Sequence, residues 1–439
     1  MNVARLNFSH GSHEEHLERI RMIRKVSEKL GVYVGIIQDL PGPKLRVGRL
    51  IKEPVFLKRG ERVILKGGLN KASGSDIPVT FPGFSELVSE GSLIYLADGT
   101  IKLRVLRSSD SGVECEVEVE GVLSSGKGVN VPDLKRDIDA LTAEDREHLK
   151  FGLGNGVDYV AVSFVRRPED VLKTKEAIRE LGADVPVIAK VEKKEAVDNS
   201  ERLVETADGI MVARGDLGVE IGLESVPLIQ KKLISMCNRA GKPVITATQI
   251  LISMVSQPVP TRAEVSDIAN ALLDGTDALM LSEETAVGSH YVEAIKVLSR
   301  VSERVEREIR YEPKSVHSAE TLEEAVGRAA CQVANALGVR YIAAYTRSGS
   351  TARQVAKHRP MIPILGLTPR KEVARRLSLI WGVMPFVTRE ELNATDPAAV
   401  KENLYTLGLA ERGDTVVVVA GYPTGPVGST NMVRVQELD

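Results

Sequence analysis

The stretch Pro186-Val-Ile-Ala-Lys-Val-Glu192 ends an apolar run with a lysine and a glutamate. Apolar runs of this kind recur along the chain, with helix-length polar segments such as His13–Leu30 between them. A strand that is apolar on both faces is typical of a parallel sheet covered by helices. The runs are Val3–Phe8, Val34–Gln38, Asp158–Phe164, Pro186–Val191, Asp208–Ala213, Pro243–Ala247 and Asp277–Leu281.

The number of these apolar runs indicates which kind of α/β fold the chain adopts. A closed (β/α)8 barrel of the TIM type has eight strands, and the sequence shows one run fewer. We therefore predict a TIM-type barrel that lacks its first βα unit, through truncation or a misplaced start. An open sheet is the alternative.

Two further domains are indicated by changes in the pattern. Short β alternation predicts a small all-β domain inserted in a loop of the larger barrel, where it could serve as a lid over the mouth. The alternating segments are Arg62–Lys66, Leu93–Ala97, Ile101–Arg107 and Val113–Glu120. Strands at Tyr341–Tyr345, Pro363–Leu367, Val383–Val387 and Thr415–Ala420 predict a C-terminal α/β domain. We expect the barrel at 1–44 and 138–318, the lid at 45–137 and the third domain at 319–439.

Composition excludes several classes of protein. The 439 residues carry 58 Lys and Arg against 60 Asp and Glu, a net charge of −2 that gives no case for binding nucleic acid or a membrane surface. No apolar run approaches the roughly 20 residues of a membrane span. Cys115, Cys237 and Cys331 form no CxxC pair, which favours a reducing compartment. We expect a cytoplasmic protein.

Polar side chains at the carboxyl ends of the predicted strands indicate a site, because chemistry in such barrels lies at that face. Residues two apart in a strand point the same way, so Arg5, Asn7 and Ser9 share one face. Lys190 and Glu192 share a face of a later strand for the same reason. An arginine and a lysine there suit an oxyanion such as phosphate, and structural ion pairs are the alternative.

The next two strands add carboxylate and hydroxyl groups. Asp216, in Ala213-Arg-Gly-Asp-Leu-Gly218, joins Glu192 to give the two carboxylates that proteins usually offer Mg²⁺. A tight turn before a helix is the other interpretation. We also expect Thr246 and Thr248 on one face, with Thr248 able to hydrogen-bond a substrate carboxylate.

Positive charge also follows the second strand, where Asp39 leads through a proline-rich exit to Lys44 and Arg46. These two cations could equally lie on a solvated surface. Taken together, the cations, carboxylates and hydroxyl fit a small phosphorylated carboxylic acid bound with Mg²⁺. Phosphoryl transfer depends on such groups.

The same residues belong to longer motifs, along which the chain from Val3 to Asp439 resembles the pyruvate kinase family. The motifs are Arg5–Gly11, Asp39–Arg46, Lys190–Glu192, Met211–Glu220, Ala247–Gln249, Pro260–Asn270 and Met280–Ala286. The resemblance implies transfer of a phosphoryl group from phosphoenolpyruvate to ADP, giving pyruvate and ATP. It also implies that the inserted lid is a small β-barrel and that the protein is usually a homotetramer.

Residue roles on the substrate side follow from this resemblance. Lys190 would neutralise the transferring phosphoryl group, and Arg5 would bind the substrate phosphate. Backbone N–H groups of Gly215 and Asp216, with the Thr248 hydroxyl, would hold the substrate carboxylate. Thr248 would also lie near the point at which the enolate is protonated.

The resemblance also implies a metal and a nucleotide side. Glu192 and Asp216 would bind Mg²⁺ or Mn²⁺. Asp98 would be the lid aspartate that reaches the mouth on closure. The residues expected on the nucleotide side are His10, Lys127 and Arg46, the last as a second phosphate contact.

At one position the chain departs from the potassium-dependent members of the family and resembles the potassium-independent branch. Members that depend on potassium carry Glu where this chain has Lys44, and usually Thr where it has Leu40. Glu completes a cation site, whereas a fixed ammonium replaces the cation and repels it. We therefore predict that Asn7, Ser9 and Asp39 form at most a vestigial or weak K⁺ site, and that K⁺ is not required.

The C-terminal domain carries a candidate effector site. A loop of Ser, Thr and Gly before a helix N-terminus can hold phosphate, and the family binds phosphorylated effectors in this region. A helix cap without a ligand is the alternative. The candidate residues are Thr346, Ser348, Gly349, Ser350 and Thr351.

Two other functions stay open at this point. A metal-dependent aldolase or mutase on a phosphoenolpyruvate/pyruvate barrel would also use Glu and Asp with Mg²⁺. An inactive truncated product, acting at most as a binding protein, would fit an incomplete barrel. Intact Lys190, Glu192, Asp216 and Thr248 argue against decay of the site.

Overall fold

The computed structural model describes residues 1–72, 74–97, 99–132, 138–308, 321–389, 393–422 and 429–439. Its central feature is a sheet of seven parallel strands that pair in chain order. Each predicted apolar run overlaps one of them, which confirms the TIM-type α/β fold. The strands are β1 Val3–Asn7, β2 Gly35–Leu40, β3 Tyr159–Val162, β4 Val187–Val191, β5 Gly209–Ala213, β6 Val244–Ala247 and β7 Ala278–Met280.

Helices follow the strands of this sheet, and local signals set where they begin. Ser12 with Glu15 and Thr261 with Glu264 form capping boxes at the starts of the helices His13–Leu30 and Arg262–Asp274. The helices are His13–Leu30, Ala143–Gly154, Pro168–Glu180, Lys194–Asp198, Ser200–Thr206, Arg214–Ile221, Val226–Ala240, Arg262–Asp274, Glu283–Ala286 and Tyr291–Glu308, with a 3-10 turn at Ile252–Val255.

The segment between β2 and the helix Ala143–Gly154 is rich in β structure. The four predicted strands are present, as Arg62–Gly67, Leu93–Leu96, Ile101–Ser109 and Gly112–Val119. Sequence reasoning missed shorter strands, because two or three residues show no alternation. These are Val55–Leu57, Ile77–Val79, Gly121–Leu123 and Val129–Asn130, with a 3-10 turn at Phe84–Glu86.

The C-terminal region forms a five-stranded sheet. Its strands in chain order are Tyr341–Tyr345, Ile364–Thr368, Val383–Val387, Asp414–Gly421 and Thr430–Leu438. The last strand, Thr430–Leu438, is an antiparallel edge strand. It was not predicted, because its polar residues interrupt the continuous apolar run by which the buried strands were recognised. The helices here are Leu322–Leu337, Ser350–Ala356, Lys371–Leu377 and Pro397–Thr406.

The C-terminal region contacts the amino ends of the barrel strands. Arg375 Nε donates to Asp158, directly before β3, at 2.7 Å, and Arg359 donates to Asp277, directly before β7, at 2.9 Å. The opposite, carboxyl ends of the strands are therefore left to the lid and the pocket described below.

Two predicted domain boundaries, at 137/138 and 318/319, fall at or within stretches outside the described residues, as does the expected linker Tyr311–Ala319.

Among the described helices, none has the length and apolar character that crossing a membrane requires.

Candidate active site

A pocket of about 450 Å³ lies at the carboxyl ends of the barrel strands. It takes side chains from β1, the exit of β2, β4, the helix after β5, the turn after β6 and a loop of the lid. Most of the residues predicted at the mouth of the barrel line it, although Asp39 and Gly215 do not. Those that line it are Arg5, Asn7, Ser9, His10, Lys44, Arg46, Lys127, Lys190, Glu192, Asp216 and Thr248.

Lys190 lies at the base of this pocket and is almost fully buried. Its Nζ lies 2.9 Å from Glu192 Oε1 and 3.2 Å from Asp39 Oδ1, and it donates to Ser163 Oγ at 2.7 Å. Burial alone lowers the pKa of Lys190, but the charges of Asp39 and Glu192 raise it above its usual value. The ammonium therefore stays protonated and positive.

Arg5 is the second cation, and it reaches the same aspartate from β1. Its Nε donates to Asp39 Oδ2 at 2.7 Å, since β1 and β2 are neighbours. Burial alone raises the pKa of Asp39, but Lys190 and Arg5 outweigh it and hold that pKa below its usual value. An ionised aspartate thus holds two cations facing one cavity.

Glu192 and Asp216 provide two carboxylates beside these cations. Glu192 Oε2 accepts a hydrogen bond from the backbone N–H of Phe164 at 2.9 Å. Burial raises the pKa of Glu192, Lys190 opposes that rise, and the charge of Asp216 adds to it.

The donor set of the pocket fits Mg²⁺. Asp216 makes no hydrogen bond or ion pair within the described part of the chain, so its oxygens are available. The described residues hold no group of three or more His, Cys, Asp or Glu that would form an all-protein metal cage. Two hard oxygen donors without such a cage suit an ion that keeps water and substrate oxygens as ligands.

Thr248 reaches the pocket through a turn. Thr248 and Gln249 have φ of +68° and +53°, a conformation that is strained for a β-branched residue. The backbone N–H of Gly215 donates to Thr248 Oγ1 at 2.9 Å, so the hydroxyl and this N–H are adjacent.

The expectation that Thr246 shares a face with Thr248 is wrong. Thr246 is fully buried, does not line the pocket, and donates to Thr276 Oγ1 at 3.0 Å. Strand alternation ends where the chain turns at Thr248, and Ala247 lines the pocket instead.

Sequence reasoning missed the arginine that holds this turn. Arg214 NH1 donates to both carboxylate oxygens of Asp267, at 2.8 and 2.7 Å, and its NH2 donates to the carbonyl of Thr248 at 2.7 Å. Ser163, which binds Lys190, was also missed. The available signal in both cases was a polar residue directly after a buried strand.

The predicted nucleotide-side residues lie toward the lid. Partial burial and the charges of Arg46 and Lys44 lower the pKa of His10, and all three residues line the pocket. Arg46 donates to the carbonyl of Gly126, next to Lys127 in the lid loop, at 3.1 Å. Asp98 lies outside the described residues.

The candidate effector loop follows the strand Tyr341–Tyr345. Thr346 Oγ1 accepts from the N–H of Gly349 at 2.9 Å, and Thr351 Oγ1 lies 2.9 Å from Thr430 Oγ1. Ser348 Oγ donates to Ser350 Oγ at 3.1 Å. These contacts also satisfy the alternative interpretation, a helix cap without a ligand.

The mouth of the barrel combines fixed cations with a pair of carboxylates, an arrangement that suits enzymes that transfer phosphoryl groups. Comparison with known proteins identifies the particular family. Residues 1–295 match the family model "Pyruvate kinase, barrel domain", and residues 324–436 match "Pyruvate kinase, alpha/beta domain". The chain belongs to the pyruvate kinase family, whose members are ATP:pyruvate 2-O-phosphotransferases.

Curated relatives agree with that assignment. Pyruvate kinase 2 of Synechocystis sp. is 44% identical over 441 residues, covering 98% of this chain and 74% of that protein. A pyruvate kinase of Staphylococcus aureus is 43% identical over 445 residues, covering 99% and 76%. One of Geobacillus stearothermophilus is 44% identical over 451 residues, covering 100% and 76%.

Proposed function

We propose that this chain, as a pyruvate kinase, transfers the phosphoryl group of phosphoenolpyruvate to ADP at the mouth described above, giving pyruvate and ATP. One observation carries the assignment of the site. A protonated, buried Lys190 lies 2.9 Å from Glu192, in a pocket that Asp216 also lines. Phosphoryl transfer needs positioned charge more than covalent chemistry from the protein.

Arg5 and Lys190 act on the phosphoryl group. Both are held by Asp39, so their positions are set before the substrate arrives. The bond between phosphorus and the enol oxygen breaks while a terminal phosphate oxygen of ADP bonds to phosphorus. The enolate of pyruvate is left.

Glu192 and Asp216 hold Mg²⁺ or Mn²⁺ in this proposal. When bound, the ion supplies positive charge to the phosphoryl and enolate oxygens. The carboxylate of Glu192 is kept in place by the N–H of Phe164.

Gly215, Asp216 and Thr248 hold the substrate carboxylate. The hydrogen bond between the Gly215 N–H and Thr248 Oγ1 would open, so that both groups turn to the carboxylate. Thr248 then lies beside the enolate, whose methylene carbon takes up a proton to give pyruvate.

ADP binds on the lid side, against His10, Arg46 and Lys127. The lid is close to the barrel here, because a Cβ placed on Gly99 would lie 3.1 Å from Val219 Cγ2. Closure of the lid would exclude water from the phosphoryl group.

Turnover does not require K⁺ in this proposal. Both oxygens of Asp39 already contact cations, Arg5 at one and Lys190 at the other. Lys44 adds a fixed positive charge to the same pocket. Asn7, Ser9 and Asp39 therefore form a weak or vestigial K⁺ site.

The remaining assignments concern the whole molecule. We propose the domain division 1–44 with 138–318, 45–137 and 319–439, a homotetramer, and a phosphorylated effector at the Thr346–Thr351 loop. Several large apolar side chains of the barrel region are exposed, which supports self-association; they include Leu223, Leu228, Val259, Leu273 and Val287. Three buried free cysteines accord with the cytoplasm.

The test is the substitution Lys190→Met, assayed by ATP formation from phosphoenolpyruvate and ADP. Because the variant leaves the phosphoryl group without its ammonium, we expect kcat to fall by about 10²- to 10³-fold. Lys150→Met, at an exposed helix position, is the matched control and should keep full activity.

Two outcomes would contradict the proposal. Full ATP formation by Lys190→Met would remove the role given to this lysine. Consumption of phosphoenolpyruvate by the unaltered chain with no ATP formed would favour the aldolase or mutase class.

A further inference from the structure

Lys193 and Glu220 form a buried ion pair close in the chain to the proposed metal ligands Glu192 and Asp216. This pair takes no part in the reaction steps proposed above. Lys193 Nζ donates to Glu220 Oε1 at 2.5 Å, and the two side chains are only 8% and 0% exposed. Lys193 directly follows Glu192, and Glu220 lies four residues after Asp216 on the helix Arg214–Ile221. Residues four apart share a helix face. The pair therefore joins the segment bearing one carboxylate to the helix bearing the other.

A second contact connects Lys193 to Glu192 through Phe164. Lys193 Nζ lies 5.9 Å from the centroid of the Phe164 ring, over its face. Phe164 has φ of +56°, and its N–H is the donor to Glu192 Oε2. Such a backbone conformation persists only where the surroundings hold it. The lysine thus packs against the residue that orients Glu192.

Stability alone does not explain this pair. Desolvating two charges offsets most of their attraction, and an apolar pair of similar volume is often as stable or more so. Glu220 Oε2 has no hydrogen-bond partner in the described part of the chain, so the desolvation is not fully compensated. A role other than stability is needed.

We propose that Lys193 and Glu220 are positioning residues for the divalent metal, and that they hold Glu192 and Asp216 at the separation the ion needs. Two carboxylates facing one pocket repel each other, and the ion pair keeps the helix from moving away from the strand end. The inference rests on the proposed function, in which Glu192 and Asp216 bind Mg²⁺.

The experiment measures Mn²⁺ binding to the substrate-free full-length chain by electron paramagnetic resonance. We expect Lys193→Met to raise the Kd for Mn²⁺ by about 10- to 100-fold, as loss of an outer partner of a metal ligand does. The apparent KM for Mg²⁺ should rise in step, while kcat at saturating Mg²⁺ stays close to that of the unaltered chain. A purely structural role would not produce this split.

Two further variants test the same proposal if Lys193→Met does not fold. Glu220→Gln keeps the side-chain volume and should also weaken Mn²⁺ binding. The double variant Lys193→Glu/Glu220→Lys restores the pair with its charges exchanged and should recover part of the affinity. Lys194→Met, one residue along and exposed, is the control and should bind Mn²⁺ normally.

Glu192→Gln separates the two possible failures. If Glu192→Gln binds Mn²⁺ as the unaltered chain does, the proposed metal site itself is wrong. If Glu192→Gln loses Mn²⁺ but Lys193→Met and Glu220→Gln stay within twofold of the unaltered Kd, only the positioning role is overturned.

Discussion

At the scale of single residues, we propose that the charge of Lys44 removes the requirement for K⁺. Lys44 lines the pocket close enough to His10 to lower the pKa of that imidazole. We expect turnover of the unaltered chain to be unchanged when K⁺ replaces a bulky monovalent cation at constant ionic strength. Lys44→Glu should gain several-fold stimulation by K⁺, because a carboxylate attracts the ion that the ammonium repels.

Steady-state rates in the two salts check this prediction. Arg49→Glu makes the same change of charge sign at an exposed lid position and serves as the control. A several-fold response of the unaltered chain to K⁺ would contradict it.

His358 predicts how stability depends on pH. Burial lowers the pKa of His358 from 6.5 to about 4, with the neighbouring Lys357 charge adding to the effect. Below about pH 6.5, His358 therefore binds a proton in the unfolded chain but not in the folded chain. The free energy of unfolding falls as the pH drops from about 6.5 to 4. The free energy of unfolding should drop by roughly 2 kcal/mol between pH 7.5 and 5 from this residue alone.

Denaturant unfolding at pH 7.5 and pH 5 measures the sign and size of this change in the free energy of unfolding. His358→Gln removes the titration, so the difference in stability between pH 7.5 and 5 should shrink by that amount. An identical difference in the variant would show that His358 does not control it.

At the scale of elements, the turn after β6 depends on the helix two elements further on. Arg214 bridges the carbonyl of Thr248 and the carboxylate of Asp267, on the helix Arg262–Asp274. Arg214→Lys loses the forked geometry. We expect kcat to fall by about 10- to 100-fold, since small displacements of a substrate-contacting group are costly.

Kinetics together with circular dichroism test this prediction. The helical signal should be unchanged, because the apolar packing of β6 and of the helix Arg262–Asp274 does not depend on Arg214. Arg239→Lys, at an exposed position on the helix Val226–Ala240, should leave kcat unaffected. A normal kcat in Arg214→Lys would show that the turn at Thr248 keeps its conformation without the arginine.

At the scale of the whole molecule, Arg359 ties the C-terminal sheet to the barrel. It is 9% exposed, pairs with Asp277 at 2.9 Å, and donates to Asn238 Oδ1 at 2.7 Å. Its guanidinium lies 4.9 Å from the Trp381 ring centroid. Arg359→Met leaves Asp277 buried and unpaired, which should cost about 3–5 kcal/mol and lower the melting temperature by several degrees.

Calorimetry of Arg359→Met and of Arg412→Met, an exposed control, tests this docking. A melting temperature equal to that of the unaltered chain would show that Asp277 is compensated by other groups.

Prediction from sequence succeeded where local periodicity sets the direction of a side chain. Arg5 and Asn7 line the pocket together, because alternation along a strand is a property of the backbone. Ser9 and Glu192 line it too, although they lie just beyond the ends of β1 and β4. Prediction failed at Thr246, since the alternation stops at a turn whose strained geometry is held by Arg214 from another element.

The order of strands, the main helix starts and the residue types at the strand ends were determined by the sequence alone, because burial patterns and capping residues act over a few positions. Tertiary structure alone decided which charges meet: Asp39 between Arg5 and Lys190, Arg214 on Asp267, and Lys193 on Glu220. These pairs join residues far apart in the chain. No local pattern encodes them, and their strength depends on the burial that the completed fold provides.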